Sequence, residues 1–123
     1  MSTVYTDAGE GRVCNLIDGT SAAPLNAANA RIGWGTGAGT ASKASTTLFT
    51  EAPEARVTPT VSRPASDTVQ WVATMTAAAA RTITNAGLFD AATGGTLVVH
   101  GSFAGVVLQT NDQIQFTITL QQT

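Results

Sequence analysis

Two stretches of this chain alternate apolar and polar residues with a period of two, and they constrain the fold more than any other feature. Val69, Trp71, Ala73 and Met75 interleave with Thr68, Gln70, Val72 and Thr74. Ile114, Phe116, Ile118 and Leu120 interleave with Gln115, Thr117 and Thr119. Successive side chains of a strand point to opposite faces, so each stretch reads as a strand with one face for a core and one for water. No long helical pattern is read anywhere in the chain. Ala77 to Ala80 has helical propensity, but four residues are too few to hold a helix alone.

The remaining segments fit the same class. Ala30 to Gly35 reads as a short strand, followed by a loop from Thr36 to Ser42. Ser45 to Glu51 is ambiguous between a helical turn and a strand, and Pro53 limits its continuation. Arg56 to Ser62 carries Pro59, which points to an edge or a bulge. Thr82 to Phe89 and Thr96 to Phe103 read as strands joined by Asp90-Ala91-Ala92-Thr93-Gly94-Gly95, a connection rich in turn formers. Gly105 to Leu108 is a short apolar piece, and Asn111-Asp112 marks the turn before the last strand. The expected fold is all-β: a β-sandwich, jelly-roll-like, of short antiparallel strands with an extended N-terminal arm. Residues 29–123 form the sandwich. Residues 1–28 form the arm or one or two short strands, with Val4, Tyr5, Leu16 and Ile17 as candidate contacts to a neighbouring subunit.

Composition narrows the function. The chain has 123 residues, enough for one domain, and only 11% are charged, against about 25% in an ordinary soluble protein. Thr, Ser, Gln and Asn must therefore build much of the surface. Edge strands without charges must be short, covered or paired with another chain, which hints at assembly. The six basic residues are scattered and the net charge is −2, so no nucleic acid is expected as a partner. No apolar run reaches the length that spans a bilayer, and the first ten residues lack the pattern of a secretory signal. No membrane partner is expected, and the product is expected to be soluble and made in a reducing compartment.

Reactive constellations are sparse. Gly33 to Gly39 resembles a nucleotide loop at a glance, but Ala38 or Thr40 stands where the dinucleotide pattern requires its last glycine. Cys14 and His100 could pair as nucleophile and base. The plainer reading makes Cys14 a small buried hydrophobe and His100 a strand residue. One histidine and one cysteine cannot build a conventional zinc site. Glu51 and Glu54 flank Pro53 and read as solvated loop carboxylates. No catalytic, cofactor or metal residues are assigned, and an enzyme is not expected. Trp71 reads as core. Trp34, among glycines, either caps the core or anchors a partner. Arg56, Arg63 and Arg81 either pair with carboxylates across a subunit boundary or stay solvated.

Three segments carry a family resemblance: Arg31-Ile32-Gly33-Trp34-Gly35-Thr36-Gly37, the run from Ile83-Thr84-Asn85-Ala86-Gly87-Leu88-Phe89-Asp90 through Gly94-Gly95-Thr96-Leu97, and Asn111-Asp112-Gln113-Ile114-Gln115-Phe116-Thr117-Ile118. Together they resemble small β-rich virion structural proteins of tailed bacteriophages, over about three-quarters of the chain. The resemblance implies a structural subunit without catalysis. A self-contained small domain suits a capsid cement (decoration) protein on the capsid exterior, assembled in the host cytoplasm. Its partners would be the phage major capsid protein and further copies of itself, as a homotrimer. A tail, collar or fibre-base component is the alternative. A carbohydrate-binding β-sandwich module that uses Trp34 as a stacking platform is a third.

Overall fold

The computed structural model describes residues 2–20 and 23–122. Among the described residues, seven strands and one helix follow one another as β1 (Ser2–Tyr5), α1 (Asp7–Asp18), β2 (Arg31–Gly35), β3 (Thr60–Ala65), β4 (Thr68–Thr76), β5 (Arg81–Phe89), β6 (Leu97–Leu108) and β7 (Gln113–Gln121). They form two antiparallel sheets, one ordered β1-β6-β5-β2 and the other β3-β4-β7. The all-β sandwich expected from the alternating stretches is present. Seven strands divide four and three, one short of the eight of a jelly roll.

The core lies between the sheets. The four-stranded sheet contributes Ile32, Trp34, Ile83, Leu88 and Val99, and the three-stranded sheet Trp71, Ala73 and Met75. The strand β5 is buried on nearly every residue from Ile83 onward. Such a run needs cover on both faces. The second cover comes from the long connection before β3, whose Leu48 packs with Phe89 and Leu97, while α1 covers the neighbouring β6. The three-stranded sheet has no such cover. Its outer face keeps the alternation seen in sequence, and β7 runs exposed, half-buried, exposed along its whole length.

The helix was not legible beforehand, and its causes are local. Thr6 caps it, its hydroxyl accepting the Gly9 N–H at 2.9 Å, and Asp7 and Glu10 lie at the positive end of the helix dipole. The Thr6 hydroxyl also donates to the Leu97 carbonyl at 2.5 Å, so one side chain starts the helix and ties it to β6. Gly19 ends the helix at φ 81, a conformation that favours glycine. Gly9 is required by contact: a Cβ there would stand 2.5 Å from the Val98 carbonyl oxygen. The helix lies flat on β6 because residue 9 has no side chain.

The start of the chain is therefore docked and not extended. Ser2 to Tyr5 pair with Val99 to Ser102, and α1 follows. The accessible surface is 6275 Å², close to the roughly 6,200 Å² that scaling gives for a compact chain of this mass. A free-standing arm would have raised it. Cys14, read as a buried hydrophobe, is exposed on α1, because the helix turns it away from the sheet. β6 also runs on through Gly105 to Leu108, and Arg81 to Ile83 pair with Val106 to Leu108.

Candidate functional site

Two of the three nominated arginines, Arg56 and Arg81, turn inward. Arg56 forms a two-pronged pair with Glu51, at 2.7 and 2.9 Å. Its guanidinium lies 3.5 Å over the Phe89 ring and donates to the Ala91 and Gly94 carbonyls. It thus holds the β5–β6 connection against the loop before β3. Arg81 donates to Glu54 at 2.6 Å. Arg63 is exposed and donates to the carbonyls of Ser66 and Thr68 in its own hairpin. A further pair, Arg12 with Asp90 at 2.9 Å, fastens α1 to the same connection. Sequence reading missed it because 78 residues separate the partners.

Trp34 is fully buried. Its ring meets Phe116 edge-on across the sandwich, with centroids 6.3 Å apart, and its indole N–H donates to Glu54 at 3.1 Å. The reading of Trp34 as a partner anchor or sugar platform is overturned, because its place on β2 faces the opposite sheet. Glu54 is likewise not a solvated loop residue. Its carboxylate accepts from Trp34, Arg81 and the Ala78 N–H. Burial pushes this carboxyl up, and those hydrogen bonds more than offset it, holding it below its ordinary value of 4.5.

The N-terminal candidates divide. Val4 is half-buried opposite His100, and Tyr5 packs on the core with the Lys43 ammonium 5.9 Å from its ring centre. Leu16 is half-buried. Ile17 is 80% exposed and is the one candidate of the four whose apolar surface stands free. The eight nominated residues do not converge on one patch.

A buried polar pair holds the loop instead. Asn85 and His100 are fully buried on neighbouring strands. The Asn85 carbonyl oxygen accepts the Phe49 N–H at 3.0 Å and lies 3.1 Å from His100 Nε2. Since that oxygen can only accept, Nε2 carries the proton. His100 Nδ1 has no partner among the described residues, and the Phe49 ring meets the imidazole edge-on, with centroids 4.8 Å apart. Burial pushes the imidazole below its ordinary value of 6.5. The unfolded chain therefore takes up a proton before the folded one does. Stability should be undiminished above pH 6.5 and fall as pH drops below it, by at most about 1.4 kcal/mol per pH unit. Thermal melts across this range should show the slope in the native chain, and His100→Gln should flatten it. The pair holds the backbone of Phe49 through both its N–H and its carbonyl, so the geometry offers it a structural task.

Two surface features remain. The first is the outer face of the three-stranded sheet, where Thr74, Thr76, Gln113, Gln115, Thr117 and Thr119 stand exposed side by side. None is charged. The second is the seam between β1 and β7. On the opposite side of the sandwich, Val57 bridges β2 at Ile32 and leads into β3, closing the two sheets together. On the β1–β7 side an apolar cleft of about 180 Å³ stays open, lined by Thr3, by Phe103 and by the β7 stretch Phe116 to Thr119. Among the described residues, no three His, Cys, Asp or Glu side chains gather to hold a metal ion, and no helix is long and apolar enough to cross a membrane. Compared with known proteins, the chain matches no family model and no curated sequence.

Proposed function

We propose that the chain is a structural subunit that coats a larger assembly, and, following the sequence resemblance, that it is a capsid cement protein of a tailed bacteriophage. The outer face of the three-stranded sheet carries this reading. Burying a charge in an interface is costly unless it is paired, whereas hydroxyls and amides find hydrogen-bond partners readily. A face of Thr and Gln, with Arg12, Arg56 and Arg81 paired elsewhere, is cheap to cover with another protein surface. The partner is the major capsid protein. Such a subunit acts by linkage: it binds the assembled shell and not its dissociated parts, and so stabilises the shell. Many weak contacts on one particle add up.

Copy counting and immunogold labelling of virions that carry this protein test the proposal. Hundreds of copies spread over the shell support it. Label confined to the tail or collar, at the copy number of a ring, replaces it with the tail-component reading. Gln115→Glu with Thr74→Glu puts two charges on adjacent positions of the face and should reduce shell occupancy at least about tenfold, which is about 1.4 kcal/mol. Occupancy unchanged by those charges would take the face out of the interface.

A further inference from the structure

The two edges of the three-stranded sheet are protected very differently. A free strand edge invites pairing, and proteins guard it with proline, charge, bulges or brevity. β3 has all four: six residues, Pro64 within it and Pro59 before it, Arg63, and a bulge between Ser62 and Ala65. β7 has none. Nine residues run without charge, proline or register shift, and the strand is terminal in its sheet.

The backbone groups on that edge can be identified. The Ala77 N–H donates to the Asp112 carbonyl, and the Gln122 N–H donates to the Asp67 carbonyl. The register between β4 and β7 is unbroken between these points. In an antiparallel ladder, residues alternately bond one neighbour and the other. The even-numbered residues of β7 therefore bond β4, and Gln113, Gln115, Thr117, Thr119 and Gln121 direct their N–H and C=O outward.

The strand is also a palindrome in chemical type about Thr117. Turned end for end, Gln113 meets Gln121, Gln115 meets Thr119, Phe116 meets Ile118 and Ile114 meets Leu120. We infer that β7 pairs with β7 of a second copy, antiparallel, with Thr117 on the two-fold axis. The outward-facing residues fall opposite one another in this register, so about ten N–H···O=C bonds can form. Polar side chains meet polar on the outer face and apolar meet apolar on the inner face. No like charges are brought together. The joined sheet has six strands, and the second copy's Phe116 and Ile118 arrive beside the open cleft of the first. This is an isologous contact. It replaces the threefold association expected from sequence with pairing by twos, and it stands whether or not the shell reading holds.

Sedimentation of the free protein tests it, in a Cys14→Ser background for the crosslinking arm. The native chain should form a reversible dimer. Thr117→Lys sets two ammonium groups opposite each other and should weaken the dimer at least about tenfold, while the melting temperature measured at concentrations where the native chain is monomeric should be unchanged, because the side chain is exposed. Thr117→Glu should do the same, and an equal mixture of the two variants should associate again. Gln115→Lys serves if either variant is poorly folded. Thr117→Cys should form a disulfide-linked dimer on oxidation, since paired Cα atoms lie about 5.5 Å apart. Gln113→Cys should not link to itself but should link to Gln121→Cys. A native monomer at every soluble concentration overturns the inference. So does an oligomer indifferent to Thr117→Lys, or a Gln113→Cys self-link.

Discussion

Trp34→Ala is expected to lower the free energy of folding by about 4 kcal/mol, the range for removing a large aromatic from a packed core. The side chain is fully buried and spans the sandwich, from β2 in one sheet to Phe116 on β7 in the other. Its loss opens a cavity that the two sheets cannot close, because the loop before β3 and the Glu54 cluster hold β2 in place. It also leaves Glu54 without one of its three donors. Trp34→Phe keeps most of the volume and should cost clearly less. Urea denaturation followed by circular dichroism measures both. A Trp34→Ala chain as stable as the native one would mean that the indole lies outside the core.

Glu54→Ala should cost about 3 kcal/mol, the lower part of the range for removing one member of a buried pair. Glu54 has 9% of its side chain exposed and Arg81 22%, so the guanidinium left behind is only partly solvated. The Ala78 N–H and the Trp34 indole lose their acceptor in the same step. Glu54→Gln keeps the shape but removes the charge, and should fall between the two. The carboxyl is held below its ordinary value, so its contribution is present above about pH 4.5 and is lost as pH falls through the lowered folded-state value. Acid titration of stability should therefore be shallower in Glu54→Gln than in the native chain. Equal slopes would show that the pair contributes nothing to acid stability. Glu51 and Arg56 form the second such pair of the same loop. Together the two pairs explain why a long connection without regular structure packs as part of the core.

The strands were legible because their signal is local. Gln113 to Gln121 alternates strictly in sequence and forms β7 over those residues. Trp71, Ala73 and Met75 share one face as their spacing requires. The helix was not legible, since Gly9, Gly11 and Val13 are poor helix formers and its apolar residues form no clear stripe. It exists because Thr6 caps it and because Gly9 lets it approach Val98. Asp90 and Asp112 behave as turn residues should, each accepting a nearby backbone N–H. Asp90 also binds Arg12, a partner that nothing in its neighbourhood of sequence announces.

What the sequence determined alone is the class of fold and the character of the surface. Period-two patterning requires pleated sheets with one apolar face, and a chain with few charges must present hydroxyls and amides to its surroundings. What only the tertiary structure decided is the fate of individual polar residues. Arg56, Arg81, Glu54, Asn85 and His100 each look free in one dimension, and their roles follow from which distant strand or loop arrives beside them. Likewise, the palindrome of β7 can be read in one dimension, but only the strand order shows that this edge is bare. Pairing between strands is non-local, and so are the electrostatics and burial that it creates.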